Sequence, residues 1–372
     1  MDPQTVFCHN LDCPARGQIG QGNIGVFSQK DRRYICHMCK RTFAASKGTV
    51  FYRLRTVKDV VVTVLTLLAH GCPVQAIVAA FGLDERTVLD WQERAGQHCE
   101  RVHHHLVEQP RDLGQVQADE LRVKIQGSIV WMATAIQVAT RLWLGGVVGA
   151  HRDEALIVTL IRQVKACALC RPLLFCMDGC VLYLHAIRAV FREPVLTGHV
   201  GHPRLRPWDG LCLAQVVKQY VRKRVVAVSR RVAQGTVAEV DALLQHTQGG
   251  GQINTAYIER LNATFRACIA ALVRRGRALV RQAETLHPVM YLMGCVYNFC
   301  TNHESLRLPI YLPKGRHRWV ARTPAMAAGL TDHRWTVEEL LSFRVPLPRW
   351  QPPKRRGRRS KAMKALVEQW CS

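Results

Sequence analysis

At 372 residues the chain is long enough for two or three domains and a sizeable core. Hydrophobic residues at 48% and charged residues at 21% exclude a largely disordered or collagen-like chain. With 52 Lys and Arg against 27 Asp and Glu, the formal charge of +25 calls for a polyanionic partner, nucleic acid first. The longest apolar stretch, Ser128 to Ala150, is interrupted by Gln137 and Arg141 and rich in β-branched residues, so it reads as two buried strands and not as a membrane span. The N-terminus carries an acid and a cysteine where a secretory signal has a basic and then an apolar run. A soluble intracellular protein with no membrane partner is the expectation.

Four of the 15 cysteines stand apart by spacing: Cys8-x4-Cys13 and Cys36-x2-Cys39, with 22 residues between the pairs. Each pair places two thiolates on one tight turn, and two such turns complete a tetrahedral Zn²⁺ site. The Gly-rich segment between them, with short β-like runs, suits a zinc ribbon. The looser first spacing leaves His9 or His37 open as a substitute ligand. The other cysteines lie mostly among apolar neighbours and read as small hydrophobes.

The stretch TVKDVVVTVLTLLA from Thr56 predicts a helix that stops at Gly71 and Pro73. VQAIVAAFGLDERTVLDWQERAG then reads as helix, turn at Gly82 and a second helix. That pattern places Arg86, Thr87, Asp90 and Arg94 on the outer face of the second helix, the face that enters a major groove in a helix-turn-helix. His103, His104 and His105 at the helix end read as a solvated, dipole-compatible C-terminus.

Past Pro110 the pattern changes. GQVQADELRVKI, SIVWMATAIQV and RLWLGGVVGAH predict a three-stranded meander. A helix begins at Asp153, an apolar strand RPLLFCMDG ends in Asp178-Gly179, and a helix follows from about Val181 to Phe191. This order predicts a mixed sheet covered by helices. Asp119 and Asp178 both fall where open α/β sheets seat ligands. Glu259, Asn262 and Arg266 share one face of a later helix. Converging carboxylates hold hard divalent cations, the chemistry of two-metal phosphoryl transfer.

These residues resemble a known family. RYICHMCKRTF, IVAAFGLDERTVL, ADE at Ala118 to Glu120, MDG at Met177 to Gly179 and YIERLNATFR at Tyr257 to Arg266 are similar, in order, to blocks of bacterial insertion-sequence transposases of the Asp-Asp-Glu type, nearest the "insertion sequence one" family. The resemblance runs from about residue 8 to residue 307. It implies a multidomain α+β protein: a zinc ribbon (1–54), a helix-turn-helix region (55–110), a ribonuclease-H-like mixed α/β catalytic domain (111–310) and a basic tail (311–372). It implies Asp119, Asp178 and Glu259 as the catalytic, Mg²⁺- or Mn²⁺-binding triad, with Arg260, Asn262 and Arg266 contacting or orienting DNA phosphate. Structural Zn²⁺ on Cys8, Cys13, Cys36 and Cys39 completes the cofactors. The implied activity is cleavage at the element's ends and transfer of the freed strand into target DNA, by a homodimer or higher assembly in the bacterial cytoplasm, at the nucleoid. Strand alternation sends Asp119 and Glu120 to opposite faces, and the family pattern selects Asp119.

The segment from Pro194 to Gln252 is basic and carries no motif of its own. His199 and His202 within it read as loop residues. RTPAMAAGLTDHRWTVEELLSF predicts a small helix, and KRRGRRSK at the end holds six basic residues in eight. Arg356-Gly357-Arg358 there resembles an AT-hook core, with a plain electrostatic tail as the equal alternative. Two other functions fit the same motifs: a non-catalytic zinc-ribbon DNA-binding regulator, including an inactive former transposase, and a nuclease that hydrolyses without joining.

Overall fold

The structure is a computed structural model that describes residues 1–195, 203–222, 224–273, 283–311, 313, 317–352, 357 and 360–371. His199, His202, Arg356 and Arg358 lie outside the described residues. Contacts divide the chain into two compact units, Met1–Lys58 with Leu341–Ser372, and Asp59–Leu340.

In the first unit, β1 (Ile24–Ser28), β2 (Arg33–Cys36) and β3 (Thr42–Ala44) form an antiparallel sheet in that order. Its small core joins Val6, Ala15, Ile24, Tyr34 and Phe43 to the thiols of Cys8, Cys13 and Cys36. So few apolar side chains bury too little area to hold a fold of this size unaided, and such units need a staple.

The second unit opens with α1 (Lys58–Ala69), α2 (Val74–Phe81) and α3 (Glu85–Leu106). Gly82 closes α2 in the left-handed conformation, φ 62°, and the Asp84 carboxylate accepts from the backbone N–H groups of Arg86 and Thr87 to start α3. The sequence pattern thus marks the turn correctly, and α3 runs 22 residues to Leu106, with the histidine triplet in its last turn as the sequence suggests. The mixed sheet and its helices follow, interrupted by a separate hairpin: β4 (Gln115–Ile125), β5 (Ser128–Gln137), β6 (Trp143–Gly149), α4 (Glu154–Ala166), β7 (Leu173–Asp178), α5 (Val181–Val190), β8 (Arg192–Val195), β9 (Arg204–Pro207), β10 (Leu211–Val221), β11 (Arg224–Gln234), α6 (Val237–Gln248), α7 (Ala256–Cys268) and α8 (Leu286–Cys295). The separate hairpin is β8 with β9. A hairpin of β12 (Leu308–Tyr311) and β13 (His317–Val320) comes next, then α9 (Pro324–Ala327), α10 (Val337–Ser342) and α11 (Lys361–Cys371). The tail stretch read as one small helix is therefore two, because Gly329 in the left-handed region breaks it after α9. Among the described residues the chain is a mixed α/β protein with eleven α-helices, none long and apolar enough to cross a membrane.

The six-stranded sheet runs β11-β10-β7-β4-β5-β6. β4, β7 and β10 are mutually parallel, β6 runs in the same direction, and β5 and β11 run against them. The helices α4 and α5 cover one face, while α6, α7 and α8 cover the other. Gly96 lets α3 lie directly on α8: a Cβ there would stand 2.1 Å from the Pro288 carbonyl oxygen.

That contact corrects the reading of the histidine triplet. His104 is exposed and ion-paired with Glu108 at 2.7 Å, but His103 is fully buried. Its Nε2–H donates to the Leu144 carbonyl at 3.1 Å, and its ring packs on Trp143 and Tyr291. Successive helical residues point about 100° apart, so one of three neighbours was bound to face the core. Burial pushes the His103 imidazole down to about 3, with help from the neighbouring His104. The unfolded residue protonates near 6.5, so below that pH unfolding takes up a proton and stability falls, by ~1.4 kcal/mol per pH unit. Urea unfolding compared at pH 7.5 and 5.5 is expected to show a loss about 1 kcal/mol smaller in His103→Gln than in the wild type. An identical loss in both would remove His103 as a source of acid sensitivity.

Candidate active site and candidate metal centre

Two clusters among the described residues have the ligand types and closeness a metal ion needs, and they lie in different units. The first comprises Cys8, Cys13, Cys36 and Cys39. Their sulfurs stand 3.7 Å apart for Cys8 and Cys39 and 3.8 Å for Cys13 and Cys36. A tetrahedron with Zn–S bonds of ~2.3 Å has edges of ~3.8 Å, so the four thiols fit an ion such as Zn²⁺ without rearrangement. All four cysteines are free of disulfides. Burial pushes the Cys13 thiol up to about 12 and raises Cys8 as well. Burial opposes ionisation of Cys39 too, yet the Arg41 backbone N–H and the adjoining thiols draw it down to about 7. His9 and His37 are outside the cluster. His9 packs between Phe7 and Phe43, and His37 covers Gly25.

The second cluster sits where β4 and β7 part. Their parallel pairing ends at Gln117↔Cys176, and continuing that register by two residues sets Asp119 opposite Asp178. Meander strands extend the sheet on one side of this point and crossover strands on the other, so the carboxyl ends open into a crevice at a topological switch point. The cavity there measures about 490 Å³ and is lined by Asp119, Asp178 and Glu259, with Arg152, Lys218 and Tyr220 beside them.

The sheet's two faces separate the adjacent acids as alternation requires. Asp119 turns toward α7, where the buried Asn262 Nδ2–H donates to it at 2.9 Å. Glu120 turns toward α5 and accepts from the Tyr183 hydroxyl at 2.8 Å. Even so, oxygens of Asp119, Glu120 and Asp178 all lie within 4.8 Å of one another. Burial first, then the charges of Glu120 and Asp178, push the Asp119 carboxyl up to about 6. Burial likewise raises Glu120, against the pull of Tyr183 and Arg152.

Glu259 shares the cavity but not the cluster. It accepts from the Lys218 ammonium at 2.8 Å and the Thr255 hydroxyl at 2.9 Å. Burial opposes its charge, yet these two donors hold its carboxyl below the ordinary range. Arg152 does similar work across the site, contacting Glu120 and standing 3.6 Å from Asp178. Two side-chain cations thus balance the acids, and both can swing away, since each is more than a third exposed.

The chain reading missed how α7 is fixed to β4. Gln117, buried two residues before Asp119, accepts at its Oε1 from the N–H groups of Tyr257 and Ile258, both at 3.0 Å. Its Nε2 donates to the Asn254 carbonyl at 2.8 Å. It caps the helix that carries Glu259. The signal was present as glutamines at alternate positions of a central strand, where a buried amide needs partners. Gln117→Ala is expected to cost about 2 kcal/mol of stability through two orphaned N–H groups, measured by chemical denaturation; a cost below ~0.5 kcal/mol would deny the cap.

Also unread was the hairpin of β10 and β11, which carries Lys218 and Tyr220 to the cavity and continues outward, its outer half exposed. Of the remaining expected residues, Arg86 is exposed and Thr87 half-buried in the first turn of α3, with Arg94 half-buried two turns on. Arg260 is exposed and Arg266 half-buried on α7. Asn262 is buried and orients Asp119 and Thr134. No family model matches the chain, and no characterised protein matches its sequence.

Proposed function

We propose that the chain is a DNA transposase whose acidic cavity performs metal-dependent strand cleavage and strand transfer. The observation that carries this reading is the placement of Asp119 and Asp178 at the parting ends of neighbouring parallel strands, with Glu259 on the same cavity. The strand order β6-β5-β4-β7-β10, a meander flanked by parallel crossover strands, is the arrangement expected of a ribonuclease-H-like domain and supports that assignment.

The donor set suits the metal. Carboxylate oxygens converge where burial and neighbouring acids already disfavour the charge of Asp119, which a hard divalent cation relieves. Asp119 and Asp178 would hold it, and Glu259 would join them on leaving Lys218. Mg²⁺ or Mn²⁺ supplies activation of the attacking oxygen and charge stabilisation at the leaving one. The chain's own part is positional. Asn262 fixes the Asp119 carboxylate, Gln117 fixes α7, and the freed Lys218 and Arg152 become donors for phosphate oxygens at the cavity rim. Arg86 and Thr87, at the start of α3, would read the element's terminal repeats, and the thiol cluster would hold Zn²⁺ in a ribbon that aids end recognition. Joining two ends calls for a homodimer or larger assembly.

The experiment is incubation of the protein with Mg²⁺ and duplex DNA bearing the sequences that flank its coding region. Nicked ends joined to a target plasmid are the expected products. Nicking without joining would make the protein a nuclease. Tight binding with neither, in Mg²⁺ and in Mn²⁺, would leave a DNA-binding regulator.

A further inference from the structure

Around α7 from the acidic cavity lies a second pocket, of about 100 Å³, whose charge is the reverse. Arg141 enters it from the turn between β5 and β6, Arg260 from α7, and His303 from the segment after α8. Among the described residues no carboxylate comes within ion-pair distance of either arginine. The Arg141 guanidinium instead stacks on the Tyr257 ring, 3.9 Å from its centroid, and contacts the Val138 carbonyl. Burial and the nearby Arg260 both work against its charge, and burial, Arg260 and Arg141 lower His303 against the opposing pull of the Glu304 carboxylate.

Two costs here are only partly returned within the fold. A half-buried guanidinium whose partners are one backbone carbonyl and an aromatic face recovers only part of the solvation it loses. Arg141 also adopts a left-handed backbone, φ 59°, where an asparagine or glycine would sit with less strain. Strain and unbalanced charge held together by three separate elements are the marks of a site made for a ligand. The ligand has to be an anion, small enough for the pocket and able to accept from planar guanidinium forks and the Ser305 hydroxyl on its lining. Tetrahedral phosphate fits all three demands.

We propose that this pocket seats one phosphate group, and that in the protein's complex with DNA the group is a backbone phosphodiester. The second half rests on the DNA-processing reading above. Arg260 follows Glu259 directly, so the seat lies on the order of one helix diameter, ~10 Å, from the acidic cavity. At ~3.4 Å of rise per nucleotide, that is about three steps along a strand. A phosphate clamped there would set the strand's register against the acids before any chemistry.

The test uses the full chain with inorganic phosphate and, separately, with DNA. Arg260→Gln removes an exposed cation and leaves the fold's interior alone, while Arg162→Gln on the exposed side of α4 controls for net charge. Millimolar phosphate is expected to raise the thermal unfolding midpoint of the wild type and of Arg162→Gln, with at least a fivefold weaker apparent affinity in Arg260→Gln. In DNA binding followed by anisotropy, the slope of log affinity against log salt is expected to fall by ~0.9 in Arg260→Gln alone. No phosphate response in the wild type, or an equal one in Arg260→Gln, overturns the seat. A lost phosphate response with an unchanged salt slope overturns its use for DNA. Phosphate bound through Arg260 in a protein that binds no DNA keeps the seat and sinks the DNA-processing reading instead.

Discussion

Asp178→Asn is expected to lower Mg²⁺-dependent DNA cleavage by at least ~10³-fold while changing affinity for the same DNA by less than about threefold. The neutral amide keeps the volume and can still accept from the Cys180 backbone N–H, which now donates to the Asp178 carboxylate at 3.0 Å. What it loses is the charge that a divalent cation requires. Asp119→Asn should lose activity equally, with a second signature of opposite sign. Its carboxyl, held up at about 6, is forced to ionise at neutral pH against burial and two neighbouring acids. A group with a raised folded pKa contributes stability below its unfolded value and gives it up as pH climbs past the folded one. Asp119→Asn at pH 7.5 in chelator is therefore expected to be more stable than the wild type, by ~1–3 kcal/mol. Loss of stability together with loss of activity would show that the carboxylate is structural. A folded Asp178→Asn protein that no longer binds DNA would refute the separation of binding from chemistry.

Cys36→Ser is expected to have the largest effect on folding. The first unit's apolar core is small, and Cys36 is fully buried within it, its sulfur 3.8 Å from that of Cys13. Tetrahedral zinc sites contribute on the order of 10 kcal/mol to folding of such units, and a hydroxyl replacing a thiolate forfeits much of that. Purified wild type should carry one equivalent of Zn²⁺, released by a thiol-reactive mercurial. Cys36→Ser should carry well under half an equivalent, expose β1 to β3 to protease and bind DNA more weakly. Full zinc content with an intact protease pattern would remove the metal from this cluster.

Much of the site was legible in the sequence because it obeys local rules. A short apolar run ending in Asp178-Gly179 has the length of a buried strand with an acid at its carboxyl end, and β7 is that strand. The spacing of Cys8, Cys13, Cys36 and Cys39 is a geometric statement about two turns, and their sulfurs converge as it requires. What stayed hidden depends on partners distant in the chain. Gln117 reads as one more polar residue in an alternating strand until α7, about 140 residues later, presents the N–H groups it caps. The pairing of Lys218 with Glu259 brings together a hairpin with no motif and a helix with a strong one. His103 reads as solvated beside the exposed His104, and only the packing of α3 against β6 and α8 buries it. Arg141 gives no sign in sequence of a left-handed backbone, since that conformation is unusual for its residue type.

Direct titration of Mn²⁺ into the zinc-loaded protein, followed by the loss of its free electron-spin-resonance signal, tests the central claim that the acidic cavity is a divalent-cation site. Saturable binding is expected in the wild type, strengthened by bound DNA, weakened at least tenfold by Asp119→Asn or Asp178→Asn and more modestly by Glu259→Gln. Binding unchanged by all three substitutions, or absent from the wild type even with DNA present, would contradict it.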